Sequence, residues 1–227
     1  MNAEELPAFV ESLRTSLAAI HEVARKCCGV GDLNRAARSM GVQVGREIDA
    51  PGGDADLEMV ADLVFFGAND RGVRPFDRFL AGPVRTLPER EQELARRMGR
   101  AWFSVFRRTG EHETTGTWVE DILDNDRRIW MIDVHGDERK PSHSFFAARV
   151  FDAGPFHLTL ASIVLMGDRM ANVFKRAQDT GRRPFRRSLE ATIYGLVHLK
   201  GVPPIHASGK QFVADLGPEL QPGDPDG

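Results

Sequence analysis

Residues 102–166 read WFSVFRRTGEHETTGTWVEDILDNDRRIWMIDVHGDERKPSHSFFAARVFDAGPFHLTLASIVLM. Apolar residues in this stretch either alternate with polar ones or form short blocks rich in Phe, Trp, Ile and Val, and turn residues separate the blocks. Alternation with a period of two residues is typical of β-strands. It predicts five strands, at about residues 102–108, 116–123, 128–135, 144–151 and 156–165.

Two short turns, at residues 124–126 and 152–155, join neighbouring predicted strands. Strands joined so tightly pair antiparallel, and closing a sheet on itself removes its exposed edges. The sequence therefore predicts an α+β protein with a central five-stranded antiparallel sheet or half-open barrel. One face of this sheet is expected to line the core through Trp118, Ile122, Trp130, Ile132 and Val134.

Upstream of residue 102 the apolar residues recur every three or four positions, as they do on one face of a helix. The clearest such stripe predicts a first helix over about residues 4–28. Further helices are expected over about 32–40, from 54, from 75 and from 89 onward. Two more follow the sheet, at about 168–178 and from Pro184.

The start of the helix near residue 89 carries its own signal, Thr86-Leu87-Pro88-Glu89. A threonine followed three residues later by a glutamate can form a capping box, in which each side chain bonds the other residue's backbone amide. We therefore predict that Thr86 caps this helix.

These elements divide the chain into four regions. Residues 1–101 are predicted to be helical, 102–167 to form the antiparallel β region, and 168–215 to carry the C-terminal helices. Residues 216–227 are rich in Pro, Gly and acidic groups, and we expect a disordered tail there. Residues 1–215 are expected to pack as one unit.

Composition narrows the class of protein. The chain has 227 residues, a formal net charge of −3, 41% hydrophobic residues and 28% charged residues, all usual for a soluble globular protein. The longest apolar run, 158–166, is too short to span a membrane, and the N-terminus is acidic where a secretory signal is basic. We therefore expect a cytoplasmic protein without a membrane partner.

The two cysteines, Cys27 and Cys28, are neighbours in the chain. Adjacent cysteines rarely meet the geometry of an unstrained disulfide, and a thiolate zinc site needs further ligands at regular spacing. The pair is interpreted as two reduced thiols packed at a helix end.

Six short segments resemble those of a bacterial protein family that has no assigned activity. They are DLVFF (62–66), RPFDRFL (74–80), LPERE (87–91), RAWFSVF (100–106), VEDIL (119–123) and FAARV (146–150). The resemblance covers roughly residues 30–167 and implies N-terminal helices followed by a small β domain. Some related chains end in a cysteine-rich SEC-C zinc motif, and the cysteines of that motif are missing here. The resemblance implies no activity and no site residue.

One candidate metal site consists of Asp133, His135 and His143. Asp133 and His135 are two positions apart on a predicted strand and so share a face, and His143 could return from the loop that follows. Two imidazoles and a carboxylate can hold iron or zinc in a hydrolase or oxygenase. The alternation with Ile132 and Val134 places them on the solvated side, so the favoured interpretation is a polar loop without metal or other cofactor.

An acidic cluster, Asp121, Asp124, Asn125 and Asp126, could bind calcium. It lacks the alternation, the central glycine and the closing glutamate of an EF-hand loop. We interpret it as a turn that needs Asp and Asn for its backbone conformation.

A basic patch lies near the start of the last helix: Arg182, Arg183, Arg186 and Arg187. Residues 168–200 carry eight basic and three acidic side chains. Arginines at this spacing could contact an anionic partner, either nucleic acid or an acidic protein. They could also form a solvated helix face paired with nearby acidic groups.

The chain has no phosphate-binding glycine loop, no dinucleotide fingerprint and no Gly-x-Ser-x-Gly elbow. We therefore predict a non-enzymatic binding or adaptor protein, with self-association left open. Two alternatives remain: a metal-dependent enzyme that uses Asp133, His135 and His143, and a nucleic-acid-associated protein that uses the arginine patch.

Overall fold

The computed structural model describes residues 5–44, 48–49, 54–132, 144–160, 163–181 and 188–200. The helices are α1 (Leu6–Arg25), α2 (Val30–Met40), α3 (Asp54–Phe66), α4 (Pro75–Ala81), the 3-10 turn η1 (Pro83–Thr86), α5 (Glu89–Met98), α6 (Asp168–Asp179) and α7 (Leu189–Lys200). The strands are β1 (Gln43–Val44), β2 (Ile48–Asp49), β3 (Trp102–Glu111), β4 (Thr117–Asp121), β5 (Arg127–Ile132), β6 (Phe145–Asp152), β7 (His157–Thr159) and β8 (Val164–Met166). The predicted α+β class is confirmed.

Strands β3 to β7 close into a barrel. Around it, β3 pairs with β4, β4 with β5, β5 with β7, β7 with β6, and β6 again with β3. The prediction of a purely antiparallel sheet is wrong, because β5 and β7 run parallel. The reason is geometric: a closed ring with an odd number of strands cannot alternate direction throughout, so one neighbouring pair must be parallel.

The fifth predicted strand is split in two. Strand β7 pairs with β6 at 150–152, and β8 pairs with the same edge of β6 at 145–147. The two short strands therefore lie end to end along the same edge of β6. Of these two strands, β7 also pairs with β5.

Strand β3 closes the barrel because it pairs with two neighbouring strands, β4 and β6. Its residues 102–107 pair with β6, and its residues 106–111 pair with β4. The register with β4 shifts between Arg108 and Gly110. A shift of this kind bends a strand and increases its twist, which is what a small barrel needs.

Both faces of the barrel strands are largely apolar, and each face packs differently. One set points into the barrel: Phe106, Val119, Ile129, Met131, Phe146, Ala148 and Val150. Residues of the opposite parity, including Val105, Ala147 and Phe151, join the core formed with the helices. Helices α5 and α6 pack on β6, and α7 packs on β3 and β8. None of the helices in the described residues has the length and apolar content of a membrane-spanning segment.

The five predicted helices upstream of the sheet, and the helix after it at α6, are confirmed, whereas the capping box is not. Helix α5 begins at Glu89 after Pro88, without a side-chain cap. The Thr86 hydroxyl instead donates to the carbonyl oxygen of Pro83 at 2.8 Å, within the 3-10 turn. The hydroxyl is therefore engaged within the turn and does not cap the helix. The start of the last predicted helix, at Pro184, and the predicted tail lie outside the described residues.

The turn between β3 and β4 depends on Gly116, which has φ +78°. A Cβ at this position would lie 2.4 Å from the carbonyl oxygen of Met131. We expect Gly116→Ala to lower the free energy of unfolding by about 2 kcal/mol, because it combines an unfavourable φ with a backbone clash. Gly110→Ala is the control, since a Cβ there meets nothing within 4 Å. Urea denaturation of the two variants tests this, and equal midpoints would contradict it.

Candidate functional site

The outer side of β4 and β5 carries a group of aromatic and charged side chains. Trp118 lies opposite Trp130 across the two strands, and Glu120 lies between Arg107 and Arg128. These positions alternate with Val119 and Ile129, which point into the barrel, so they face outward. We call Arg107, His112, Trp118, Glu120, Arg128 and Trp130 the tryptophan face.

Charged groups on the tryptophan face are paired. The Arg107 guanidinium donates two hydrogen bonds to one carboxylate oxygen of Glu120, one of them at 3.0 Å, and this interaction raises the pKa of Arg107. The Arg107 side chain is 47% exposed and that of Glu120 is 23% exposed. The Arg128 guanidinium lies 4.4 Å from the centroid of the Trp118 ring. Guanidinium groups are attracted to the negative face of an indole in this position.

A series of aromatic rings extends across the tryptophan face, from the turn after β3 to the turn before β7. The His112 imidazole, in the turn after β3, stacks on Trp130 with ring centroids 3.7 Å apart and planes 6° apart. Phe156, in the turn before β7, meets Trp130 edge-on at 5.4 Å. The Trp130 Nε1 donates to the carbonyl oxygen of Thr115 at 2.8 Å, which fixes the turn to the strand. Trp118 and Trp130 both remain partly exposed.

A second polar cluster is buried between the barrel and the helices. The Arg149 side chain on β6 donates to both carboxylate oxygens of Asp62 on α3, at 2.7 and 3.2 Å. It also reaches Glu190 on α7 at 3.4 Å, and the Tyr194 hydroxyl donates to Asp62 at 3.1 Å. Burial raises the pKa of Asp62, and the Arg149 charge opposes that shift. This cluster joins α3 and α7 to the barrel.

A third cluster surrounds Asp121 at the end of β4. Its carboxylate accepts hydrogen bonds from the Trp102 Nε1 at 2.8 Å, from the Leu123 amide at 3.1 Å and from the Ser104 hydroxyl. Asp121 is fully buried. Its carboxylate is therefore occupied by protein donors and holds β3 to β4.

The acidic cluster after Asp121 forms a turn, as predicted. Asn125 and Asp126 adopt φ of 52° and 54°, in the left-handed region that Asn and Asp tolerate better than most residues. The Asp126 carboxylate accepts from the Lys175 ammonium at 2.7 Å. The described residues contain no group of three or more His, Cys, Asp or Glu side chains arranged to hold a metal ion.

The other sites predicted from sequence lie outside the described residues. Asp133, His135 and His143 are among them, and so is the arginine patch: Arg182, Arg183, Arg186 and Arg187. The metal site and the anionic-partner site therefore stay predictions.

The alternating pattern predicts that Trp118 and Trp130 line the core. Ile122 and Ile132 are buried as predicted. Trp130 is partly exposed but packs against the helical core, and Trp118 is partly exposed on the outer face. Val134 lies outside the described residues. The buried ion pair between Asp62 and Arg149 is not among the contacts predicted from the sequence. Its signal was available, because each residue interrupts an otherwise apolar run, and a charge in such a run usually requires a buried partner.

The neighbouring thiols of Cys27 and Cys28 lie just after the C-terminal end of α1. The Cys28 Sγ lies 3.8 Å from the Ala24 carbonyl oxygen. Burial raises the pKa of Cys28 to about 12, and the negative charge of Asp32 adds to the shift. Asp32 is itself held by Arg35 at 2.8 Å and by Arg78.

Because only the thiolate is nucleophilic, Cys28 should react slowly with alkylating reagents. We expect the variant Cys27→Ser, in which Cys28 is the single thiol, to react with iodoacetamide near pH 8 at least about 100-fold more slowly than an unstructured cysteine peptide. The same variant in denaturing urea is the control and should react at the peptide's rate. Equal rates for the native variant and the peptide would contradict the raised pKa of the Cys28 thiol.

Comparison with known proteins gave no match to a protein-family model, to a curated protein or to a solved structure.

Proposed function

We propose that this chain is a non-enzymatic binding protein, and that the tryptophan face of an OB-type barrel is its ligand-binding surface. Numbered along the chain, strands β3 to β7 occur around the barrel in the order 1-2-3-5-4-1, with strand 3 parallel to strand 5. A five-stranded Greek-key barrel connected in this way corresponds to the OB-fold.

The position of the tryptophan face carries the proposal. OB barrels bind ligands on the face of strands 2 and 3, flanked by the loops between strands 1 and 2 and between strands 4 and 5. Here those elements are β4, β5, the turn at 112–116 and the turn at 153–156. The ring series of His112, Trp130 and Phe156 runs from the first of these turns to the second.

Two further observations support this proposal. Helices α5, α6 and α7 pack on β3, β6 and β8. Trp130, at one end of the face, also packs against the helical core, where Phe156 meets Phe9 of α1 edge-on at 5.8 Å. The buried carboxylates of Asp62 and Asp121 each accept hydrogen bonds from several protein donors, which gives them structural roles. Binding therefore suits the described residues better than acid–base catalysis does.

The proposal is tested by screening ligands against matched variants. The probes are single-stranded oligonucleotides, uncharged oligosaccharides and proline-rich peptides, applied to the wild type, Trp118→Ala, Arg128→Ala and the surface control Arg96→Ala. We expect one probe class to bind the wild type and Arg96→Ala and to lose affinity in both face variants. A ligand that binds all four proteins equally would contradict the proposal.

A further inference from the structure

We infer that the turn at residues 112–116 is a lid on the tryptophan face, and that a planar ring of the ligand displaces the His112 side chain. The inference rests on the proposed function. The His112 imidazole lies against Trp130, with ring centroids 3.7 Å apart and planes 6° apart, and its centroid is 4.9 Å from that of Trp118. We call the place that it fills against Trp130 the stacking position. Aromatic rings gain free energy from such contacts, so the position suits a planar ring from the chain or from a ligand.

The hydrogen bonds that hold the lid closed lie within the turn or next to it. The Thr114 amide donates to the His112 Nδ1 at 3.2 Å, and the Trp130 Nε1 donates to the carbonyl oxygen of Thr115 at 2.8 Å. Residues 113–115 are polar and exposed, whereas the His112 side chain is 13% exposed. Segments with little buried apolar surface open at a lower free energy than core strands do. Opening this turn therefore costs less than opening the barrel.

The closed lid leaves one buried donor without an acceptor. The Trp118 Nε1 is buried and has no hydrogen-bond partner within the part of the chain that the structure describes. The Glu113 carboxylate of the lid lies close to it but outside hydrogen-bond geometry. A buried N–H that lacks an acceptor raises the free energy of the closed state. Because the Trp118 ring also contacts His112, a ligand that carries an acceptor beside its planar ring could satisfy this donor.

A lid and a binding wall respond differently to loss of the His112 ring. A protein whose binding-competent state is only partly populated binds with an apparent affinity reduced by that fraction. Removing the ring opens the stacking position and should strengthen ligand binding. If His112 were instead a wall that contacts the ligand, the same change would weaken binding.

The stacking position is tested with 4-methylimidazole, which has the ring of the histidine side chain, applied in its neutral form. His112→Asn removes the ring and keeps a side-chain acceptor for the Thr114 amide. We expect the probe to shift the Trp130 indole signal of this variant saturably, with a dissociation constant on the order of 10 mM for so small a ligand. The wild type, whose position is filled, should bind at least about tenfold more weakly. The Trp102 indole, bonded to the buried Asp121, should not shift in either protein.

His112→Leu is the matched control, because leucine keeps an apolar side chain over Trp130 and is not planar. We expect it to bind 4-methylimidazole no better than the wild type does. His112→Ala is the second open variant and should behave like His112→Asn. Circular dichroism and an unchanged Trp102 signal show that each variant is folded. If neither open variant gives a saturable Trp130 shift, the stacking position takes no ring from solution and the inference is wrong.

The link to the proposed function is tested with a thymidine decamer, a β-1,4-linked glucose hexasaccharide and a decaproline peptide. A probe whose binding depends on Trp118 should bind His112→Asn at least about threefold more tightly than it binds the wild type. Weaker binding would make His112 a contact of the ligand, which overturns the lid and leaves the tryptophan face as the binding surface. The proposed function fails on a different result, a ligand that binds the wild type, Trp118→Ala and Arg128→Ala equally.

Discussion

Replacing Arg149 with methionine is expected to lower the free energy of unfolding by about 3–5 kcal/mol. The side chain of Asp62 is completely buried and that of Arg149 is 5% exposed, so removal of the guanidinium leaves a carboxylate without its countercharge in the interior. The guanidinium also lies 4.8 Å from the Phe66 ring centroid, and methionine replaces that contact only in part. Urea denaturation followed by circular dichroism measures the effect.

The matched control is Arg96→Met, which removes an arginine from the exposed pair with Glu93 on α5. Exposed pairs of this kind contribute little, so a change within about 0.5 kcal/mol is expected. The double variant Asp62→Leu/Arg149→Met should be more stable than Arg149→Met alone, because no uncompensated carboxylate remains at that position. A change below about 1 kcal/mol for Arg149→Met would show that the pair does not hold α3 to the barrel.

Replacing Asp121 with asparagine is expected to lower the free energy of unfolding by about 2–3 kcal/mol, although the two side chains have the same shape. The Trp102 indole donates to one carboxylate oxygen, and the Leu123 amide donates to the other. An asparagine offers one oxygen and one NH2 group, so one of these two N–H donors must face another donor. A buried donor that loses its acceptor accounts for the predicted destabilisation.

Asp124→Asn is the control for this prediction. Asp124 lies in the following turn, its side chain is 51% exposed, and it pairs with Arg127 at 3.1 Å. We expect a change within about 0.5 kcal/mol. If Asp121→Asn were as stable as the control, the three donors around Asp121 would not be structural, and its carboxylate would have to be reconsidered as a functional group.

The sequence predicted where the strands lie better than how they connect. Two-residue alternation identified the strands between Trp102 and Met166, since the pattern depends only on local side-chain direction. Closure depends on β3 pairing with β6, about forty residues further along the chain, and no local pattern encodes that pairing. The parallel contact of β5 with β7 then follows from the odd number of strands.

The same alternation could not assign the two faces of the barrel. Val119 and Ile129 point inward while Trp118 and Trp130 point outward, so both parities of β4 and β5 contain apolar or aromatic residues. A barrel with a core inside and helices packed outside needs apolar residues on both faces of most of its strands. The two tryptophans therefore looked like core residues, and only the packing of the helices shows that they lie at the edge of that core.

The three tryptophans provide the most direct test of the tryptophan face, because each indole N–H gives its own signal in a nitrogen-15 correlation spectrum. Trp118 and Trp130 lie on the face, whereas Trp102 donates its N–H to the buried Asp121. When a ligand found in the screen is added, the Trp118 and Trp130 signals should shift and the Trp102 signal should stay in place. A shift of Trp102 alone, or three unmoved signals with a ligand that binds in the screen, would place the ligand elsewhere and contradict the account.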